Sequence, residues 1–180
     1  MNFAWAKPVL VAVSAAALLA VAACNRQPAA PSADLAKNAE AAAAFMKTNA
    51  SAEGVQTLPS GLQYKVVASG PAGGVHPDRN DLARVDYEGS LTDGTVFDSS
   101  FKRGSPAVFS PEQVVPGWTE ALQLMKPGDE WLLYLPPELG YGEAGGPPMI
   151  PGNAVLIFRL KLLDVAQVPG GGRGVGSAAV

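Results

Sequence analysis

The sequence contains one cysteine and one histidine, Cys24 and His76, in 180 residues. The two lie far apart along the chain, so they cannot supply the set of His and Cys ligands that a zinc site requires. A catalytic serine triad would have to use His76, which lies in the loop of residues 73–78 with no nucleophile elbow near it. A phosphate-binding glycine loop followed by Lys-Ser/Thr is also missing. The sequence therefore argues against a metal site, a cofactor and covalent catalysis.

An excess of basic residues is lacking as well. The chain has 13 Lys and Arg against 16 Asp and Glu, a formal net charge of -3, and no basic run. Binding to nucleic acid depends on clustered Lys and Arg that neutralise phosphates, so nucleic acid is not an expected partner. The 20 glycines and 16 prolines are abundant, yet the middle of the chain keeps its apolar residues in short alternating runs. This pattern indicates a turn-rich β domain and not a disordered chain.

No apolar run reaches the roughly 20 residues that a helix needs to cross a bilayer. The longest run extends from Val9 to Ala23, follows Lys7 and is broken only by Ser14. A basic residue followed by a short apolar run is typical of a signal peptide, and we predict one over residues 1–23. A permanent membrane span is the less favoured alternative.

The end of this run, Val21-Ala22-Ala23-Cys24, resembles the lipobox of bacterial lipoproteins. The resemblance implies that Cys24 is acylated and becomes the N-terminus of an exported, membrane-anchored protein. The residue after the cysteine is Asn25 and not aspartate, which favours the outer membrane, with the domain facing the periplasm or the surface. An unmodified thiol in an ordinary signal peptide is the alternative.

Residues 24–54 read as a tether between the anchor and the β domain. Within it, Asp34 to Ala50 is rich in alanine, the best helix former, so we predict a helix there. Its apolar stripe is made mostly of methyl groups and would bury little area, so a simple spacer is the favoured interpretation.

The β domain is predicted over residues 55–166, followed by a disordered tail over residues 167–180. Alternating apolar residues predict four strands, which are Leu62 to Val66, Ala83 to Leu91, Glu130 to Leu135 and Ala154 to Val165. Apolar residues at helical spacing predict one helix from Gly117 to Met125. The expected fold class is α+β, with an antiparallel sheet wrapped around one short helix and preceded by the N-terminal helical segment.

Aromatic and aliphatic residues lie beside turns and glycines in four stretches, where a sheet would place them at the rim of a pocket. The stretches are residues 85–89, 93–100, 109–118 and 140–158. In order, spacing and identity they resemble the FKBP family of peptidyl-prolyl isomerases, and the resemblance extends from Leu58 to Val165 without a large gap.

This resemblance implies a site for proline-containing polypeptides. Trp118 would form the floor and Asp98 would be an oriented acceptor at the rim, while Tyr141 and the backbone N–H of Ile150 would hold peptide carbonyls. The walls would be Tyr87, Phe97, Phe109, Val114, Val115 and Phe158. Plain core packing is the alternative for each aromatic residue, and a turn cap is the alternative for Asp98.

The implied activity is peptidyl-prolyl cis-trans isomerisation in exported or periplasmic polypeptides, which assists their folding. Macrolide inhibitors of the family would bind the same pocket. Larger members dimerise through a long N-terminal helical region, so we expect a monomer or a weak dimer here. The competing interpretation is a non-catalytic peptide-binding chaperone module. A glycosidase using two of Asp86, Glu88, Asp93 and Asp98 also stays open, although surface carboxylates are the usual case.

Substitution of Cys24 tests the predicted anchor. Cys24→Ser removes the thiol that would carry the acyl chains, and each buried methylene contributes about 0.8 kcal/mol to membrane binding. We therefore expect the variant to move from the membrane fraction to the soluble fraction on centrifugation. Ser14→Ala, which leaves the cysteine intact, is the control and should stay with the membrane. Continued membrane retention of Cys24→Ser would count against lipidation.

Overall fold

The structure, a computed structural model, describes residues 33–170. Its helices are α1 Ala33–Asn49, α2 Ser100–Arg103 and α3 Pro116–Leu124. Its strands are β1 Val55–Thr57, β2 Gln63–Ala68, β3 Leu82–Ser90, β4 Val96–Ser99, β5 Ala107–Phe109, β6 Glu130–Leu135 and β7 Leu156–Ala166. Three short 3₁₀ helices lie at Pro111–Gln113, Pro137–Leu139 and Gly142–Ala144. The predicted signal peptide, Cys24 and residues 171–180 lie outside the described residues.

The seven strands form one antiparallel sheet in the order β1-β2-β6-β7-β3-β4, with β5 paired to β3. The predicted α+β fold class is confirmed. Strand β6 has the predicted bounds, while β7 begins at Leu156 and not at Ala154. A turn at residues 152–153, where Asn153 has a left-handed φ of 59°, precedes the strand.

The core lies between the sheet and α3. The alternate residues Leu156, Phe158, Leu160 and Leu162 of β7 are buried, as the sequence pattern predicts. Helix α3 starts one residue earlier than expected because Pro116 suits the first helical position. A Cβ on Gly117 would lie 2.5 Å from Cγ of Leu135, so only glycine allows α3 to approach the sheet this closely.

Helix α1, which lies in the segment predicted as a tether, contacts the β domain. Its Ala42 is buried, and the ring of Phe45 packs against Tyr134 with 6.2 Å between centroids. The Gln63 side chain of β2 donates to the Met46 carbonyl at 2.8 Å. Helix α1 is therefore held by a few apolar contacts together with hydrogen bonds of amide side chains. Within residues 33–170, no helix combines the length and apolar composition needed to cross a membrane.

The chain beyond β7 also keeps a contact with the domain. Val168 N–H donates to the Asp81 carboxylate at 2.8 Å. Contacts with the domain therefore continue past the end of β7 to residue 168.

Asp129 ties two loops together at the edge of the sheet. Its carboxylate accepts from the N–H of Gly70 at 2.7 Å, from the N–H of Lys126 at 3.0 Å and from the Lys126 ammonium at 2.8 Å. Its side chain is only 4% exposed. Burial favours the neutral acid, but the bonds from Lys126 and Gly70 outweigh burial and lower the pKa of Asp129.

Asp129 should therefore contribute to stability at neutral pH. A carboxyl with a lowered folded-state pKa stabilises the fold above its unfolded pKa of about 4, and the stabilisation is lost as the pH falls through the folded-state pKa. We expect Asp129→Asn to lower the free energy of unfolding at pH 7 by about 1 to 3 kcal/mol. We also expect it to flatten the decline in stability between about pH 5 and pH 2.

Urea denaturation across this pH range measures both effects. The control is Asp164→Asn, because Asp164 is largely exposed and its ion pair with Arg84 is long, at 3.9 Å. That variant should change the free energy of unfolding by less than about 0.5 kcal/mol. Equal effects of the two substitutions would show that the buried contacts of Asp129 do not stabilise the fold.

Candidate active site

The indole of Trp118 lies at the centre of a group of aromatic rings. The ring centroids of Tyr87, Phe109 and Phe158 lie 5.1, 5.7 and 5.1 Å from it, with interplanar angles of 80° to 86°. These are edge-to-face contacts, a favoured arrangement for aromatic pairs. The indole nitrogen is buried and has no hydrogen-bond partner among residues 33–170. Packing alone therefore fixes the orientation of Trp118.

The sheet brings these rings together from distant parts of the chain. Tyr87 lies on β3 and Phe158 on β7, and the two strands pair with Gly89 opposite Phe158. A Cβ on Gly89 would lie 2.6 Å from the ring of Phe97 and 2.7 Å from that of Phe158. Glycine at this position therefore makes room for the edge-to-face pair of Phe97 and Phe158, whose centroids are 5.6 Å apart.

The rings surround an open cavity of about 560 Å³ above Trp118. It is lined by Tyr87, Phe97, Asp98, Phe109, Gln113, Val114, Val115, Trp118, Tyr141 and Phe158. Nine of the ten residues assigned to the pocket from the sequence line this one cavity. Gln113 also lines the cavity but was not predicted from the sequence. Its position directly before Val114 was the only indication that it belongs to the site.

Ile150, predicted to hold a peptide carbonyl through its N–H, is not among the residues that line this cavity. Its N–H donates to the Gly146 carbonyl at 2.9 Å within the same loop, and its side chain is buried. Because the bond closes a local turn, the N–H is unavailable to a peptide in this structure. Val115, by contrast, lines the cavity as the N-cap of α3, and its N–H makes no hydrogen bond with residues 33–170.

A charged group lies at the rim of this apolar cavity. The Tyr87 hydroxyl donates to the Asp98 carboxylate at 2.5 Å, and Arg103 donates both to that carboxylate and, at 2.9 Å, to the Tyr87 oxygen. The guanidinium also lies 5.3 Å from the centre of the Tyr87 ring. Sequence reasoning missed Arg103, and its place five residues after Asp98 was the only signal for it. Tyr87 and Arg103 together hold the Asp98 carboxylate in a fixed orientation.

This network shifts the pKa values of Asp98, Tyr87 and Arg103. Partial burial of Asp98 favours its neutral form, but the hydrogen bonds from Tyr87 and Arg103 outweigh burial and hold the pKa of Asp98 below its usual range. Burial, followed by the hydrogen bond to Asp98, raises the pKa of Tyr87. Asp98 is therefore ionised and Tyr87 protonated at neutral pH.

The pKa shifts of the carboxylates weaken the glycosidase alternative, because the general acid of a glycosidase needs a raised pKa. The pKa of Asp98 is lowered, and hydrogen bonds from Thr95 lower that of Asp93. Among residues 33–170 no cluster of three or more His, Cys, Asp or Glu side chains is placed to hold a metal ion.

Removal of the Tyr87 hydroxyl tests the rim network. Tyr87→Phe keeps the ring but deletes a bond to the ionised form of Asp98, so we expect the pKa of Asp98 to rise towards its usual value near 4. A carbon-13 NMR titration of the Asp98 carboxyl measures this shift. Tyr134→Phe is the control, because its hydroxyl lies outside the cavity, and it should leave the titration unchanged. An unaltered Asp98 titration in Tyr87→Phe would show that the hydroxyl does not hold the carboxylate.

Comparisons with known proteins identify the family of this chain. The family described as FKBP-type peptidyl-prolyl cis-trans isomerase matches residues 73–163. The family described as the domain amino terminal to FKBP-type peptidyl-prolyl isomerase matches residues 7–66. The first match contains the whole aromatic cavity, and the second contains α1.

Individual relatives show the same likeness. The chain is 51% identical over 130 residues to the peptidyl-prolyl cis-trans isomerase Mip of Coxiella burnetii, covering 72% of this chain and 56% of that protein. It is 48% identical over 126 residues to the outer membrane protein MIP of Legionella longbeachae, covering 69% and 52%. The chain therefore spans about half the length of these curated relatives. The crystal structure of FkpA from Escherichia coli matches with a TM-score of 0.71 and 43% identity, over 76% of this chain and 62% of that one. The chain belongs to the FKBP-type peptidyl-prolyl cis-trans isomerase family.

Proposed function

We propose that this chain is a peptidyl-prolyl cis-trans isomerase that accelerates rotation of X-Pro bonds in exported or periplasmic polypeptides and so assists their folding. The observation that carries the proposal is the apolar cavity above Trp118, with an oriented, ionised Asp98 at its rim. Family membership supports the same activity. The proposal needs neither a metal nor a cofactor.

The chemistry follows from the nature of the barrier. Rotation about an X-Pro amide breaks its resonance and costs about 18 to 20 kcal/mol, so the uncatalysed change takes tens to hundreds of seconds. The twisted amide has a less polar carbonyl than the planar amide. An apolar cavity therefore disfavours the twisted form less than it disfavours the planar one, and that difference lowers the barrier. The proline ring would lie on Trp118, between the rings that surround it.

Few polar groups are needed to orient the peptide. The free N–H of Val115 at the start of α3 is a better donor to a peptide carbonyl than the N–H of Ile150, which is already bonded. The half-exposed Tyr141 lies at the rim, where its hydroxyl can reach a second carbonyl. Asp98 would supply a fixed negative field near the rotating bond. Macrolide inhibitors would bind by filling the same cavity.

We place the protein outside the cytoplasm, attached to the outer membrane through acylated Cys24 and facing the periplasm or the surface. The signal-peptide layout of residues 1–23 supports export, and the name of the Legionella longbeachae relative supports the outer membrane. In this arrangement residues 24–54 include a helix that rests on the isomerase domain of residues 55–166. A monomer or a weak dimer remains our proposal for the oligomeric state.

An isomerase assay on a short Xaa-Pro peptide tests the activity, with and without a competing macrolide. We expect Trp118→Ala to lower kcat/KM by about tenfold to a hundredfold, because an indole surface worth about 1.5 to 3 kcal/mol of apolar contact is lost. The macrolide should abolish the remaining rate.

Because Trp118 is only 4% exposed, Trp118→Ala should also lower the free energy of unfolding by about 3 to 5 kcal/mol. Trp118→Phe retains an aromatic floor and separates the two effects: it should keep the fold and lose less activity. Trp131→Phe, a buried indole outside the cavity, is the matched control and should keep full activity. If the unmodified chain binds the peptide but isomerises it no faster than buffer, the non-catalytic chaperone interpretation replaces this proposal.

A further inference from the structure

Helix α1 and the loop of residues 140–153 are joined by two reciprocal hydrogen bonds. The Asn38 side chain of α1 donates to the Gly152 carbonyl at 2.9 Å. In the opposite direction, the Asn153 side chain donates to the Leu35 carbonyl of α1 at 3.0 Å. Both bonds are partly buried and link residues more than a hundred positions apart in the chain. The pair holds the C-terminal base of the loop against the helix.

Close packing at Gly152 reinforces this junction. A Cβ there would lie 2.4 Å from Cδ2 of Leu35 and 2.1 Å from the Glu143 carbonyl oxygen. Both distances are far inside van der Waals contact. A side chain at position 152 would therefore push away either α1 or the 3₁₀ helix at 142–144. The lack of a side chain allows three segments to meet at one point.

The junction connects directly to the rim of the cavity. The N–H of Asn153 donates to the Gly142 carbonyl at 2.8 Å, and the N–H of Gly145 donates to the Tyr141 carbonyl at 3.1 Å. Tyr141 lines the cavity, and 45% of its surface is exposed. Since little packing holds such an exposed ring, its position depends on the backbone that carries it. That backbone is bonded to Asn153, which is bonded to α1.

The other end of α1 is fixed to the sheet. Asn49 donates to the Gln63 side chain at 2.8 Å, and Gln63 donates back to the Met46 carbonyl at 2.8 Å. A helix of 17 residues is about 25 Å long and stiff on this scale. Helix α1 is therefore a stiff element whose C-terminal end is bonded to β2 and whose N-terminal end is bonded to the loop that carries Tyr141.

We propose that α1 positions the loop of residues 140–153, and through it Tyr141, for binding of the prolyl peptide. Asn38 and Asn153 are the positioning residues, and neither touches the peptide. The inference rests on the proposed function, since the loop is useful to catalysis only if the cavity binds an X-Pro segment.

The test is Asn38→Ala in the full-length chain. Alanine is the best helix former, so the substitution deletes the bond to Gly152 without weakening α1 itself. Hydrogen exchange reports on the loop: we expect the amides of Asn153 and Gly145 to exchange about fivefold to tenfold faster. In the isomerase assay KM should rise about threefold to tenfold while kcat stays within about twofold, because a group that helps hold the peptide contributes equally to ground and transition states.

A second variant and a matched control complete the design. Asn153→Asp keeps the size and the tolerance for a left-handed backbone but removes the donor, and it should reproduce both effects. The control is Asn49→Ala, which deletes an asparagine and its hydrogen bond at the opposite end of the same helix. The Gln63–Met46 bond and the Phe45–Tyr134 contact remain in this control and keep α1 on the sheet. It should therefore leave loop exchange and KM unchanged, and circular dichroism should show equal helix content in all three variants.

The outcomes separate this inference from the proposed function. An inactive unmodified chain would refute the isomerase proposal, while loop exchange would still show whether α1 holds the loop. An active chain in which Asn38→Ala changes neither loop exchange nor KM would overturn the positioning role alone. Equal loop effects of Asn49→Ala and Asn38→Ala would also overturn it, because they would indicate general loosening of the helix.

Discussion

The structure depends on the edge-to-face packing of aromatic rings around Trp118. The indole has no hydrogen-bond partner among the described residues, so its position is set by three rings on three different strands, β3, β5 and β7. Any displacement of α3 from the sheet would open these contacts together. Gly89 and Gly117 lie where a Cβ would overlap a neighbouring side chain, so both are required for this approach. The cavity floor is thus an extension of the hydrophobic core and shares its rigidity.

The polar network of Tyr87, Asp98 and Arg103 at the rim, unlike the aromatic floor, contributes little to stability. Asp98 and Arg103 are each nearly half exposed, so their attraction is screened by solvent and adds little to stability. The effect of this network is on geometry. The ring of Tyr87 packs against Trp118, while its hydroxyl binds the Asp98 carboxylate, so Tyr87 fixes the carboxylate relative to Trp118. An apolar floor with one oriented charge above it suits a reaction in which a carbonyl turns and loses polarity, with no group transferred.

The sequence predicted the longer strands and helix α3, in which the spacing of apolar residues repeats often enough to be recognised. Strands β3, β6 and β7 and helix α3 have enough alternating or helical positions for a period to be read, and aromatic residues of β3, β7 and α3 meet in the cavity. Strands β1, β4 and β5 and helix α2 have three or four residues each, too few for a period, and were missed. The bond of the Ile150 N–H to the Gly146 carbonyl could not be predicted, because no residue pattern records such a local turn. The docking of α1 escaped prediction because it combines amide hydrogen bonds with a few apolar contacts of Ala42 and Phe45, and not a continuous apolar stripe.

The contacts that hold α1 on the β domain determine which part of the cavity the helix can affect. Only Ala42 of this helix is buried, and the net contribution of each of its hydrogen bonds is about 1 kcal/mol, so its attachment is weak beside that of the core. The floor and walls of the cavity come entirely from residues 87–158, and none of the cavity-lining residues belongs to α1. Loosening α1 would therefore leave the apolar floor intact and reach the cavity only through the loop and Tyr141. Under the proposed function, a helix that precedes the β domain would adjust how peptides are held without changing the apolar floor of the cavity.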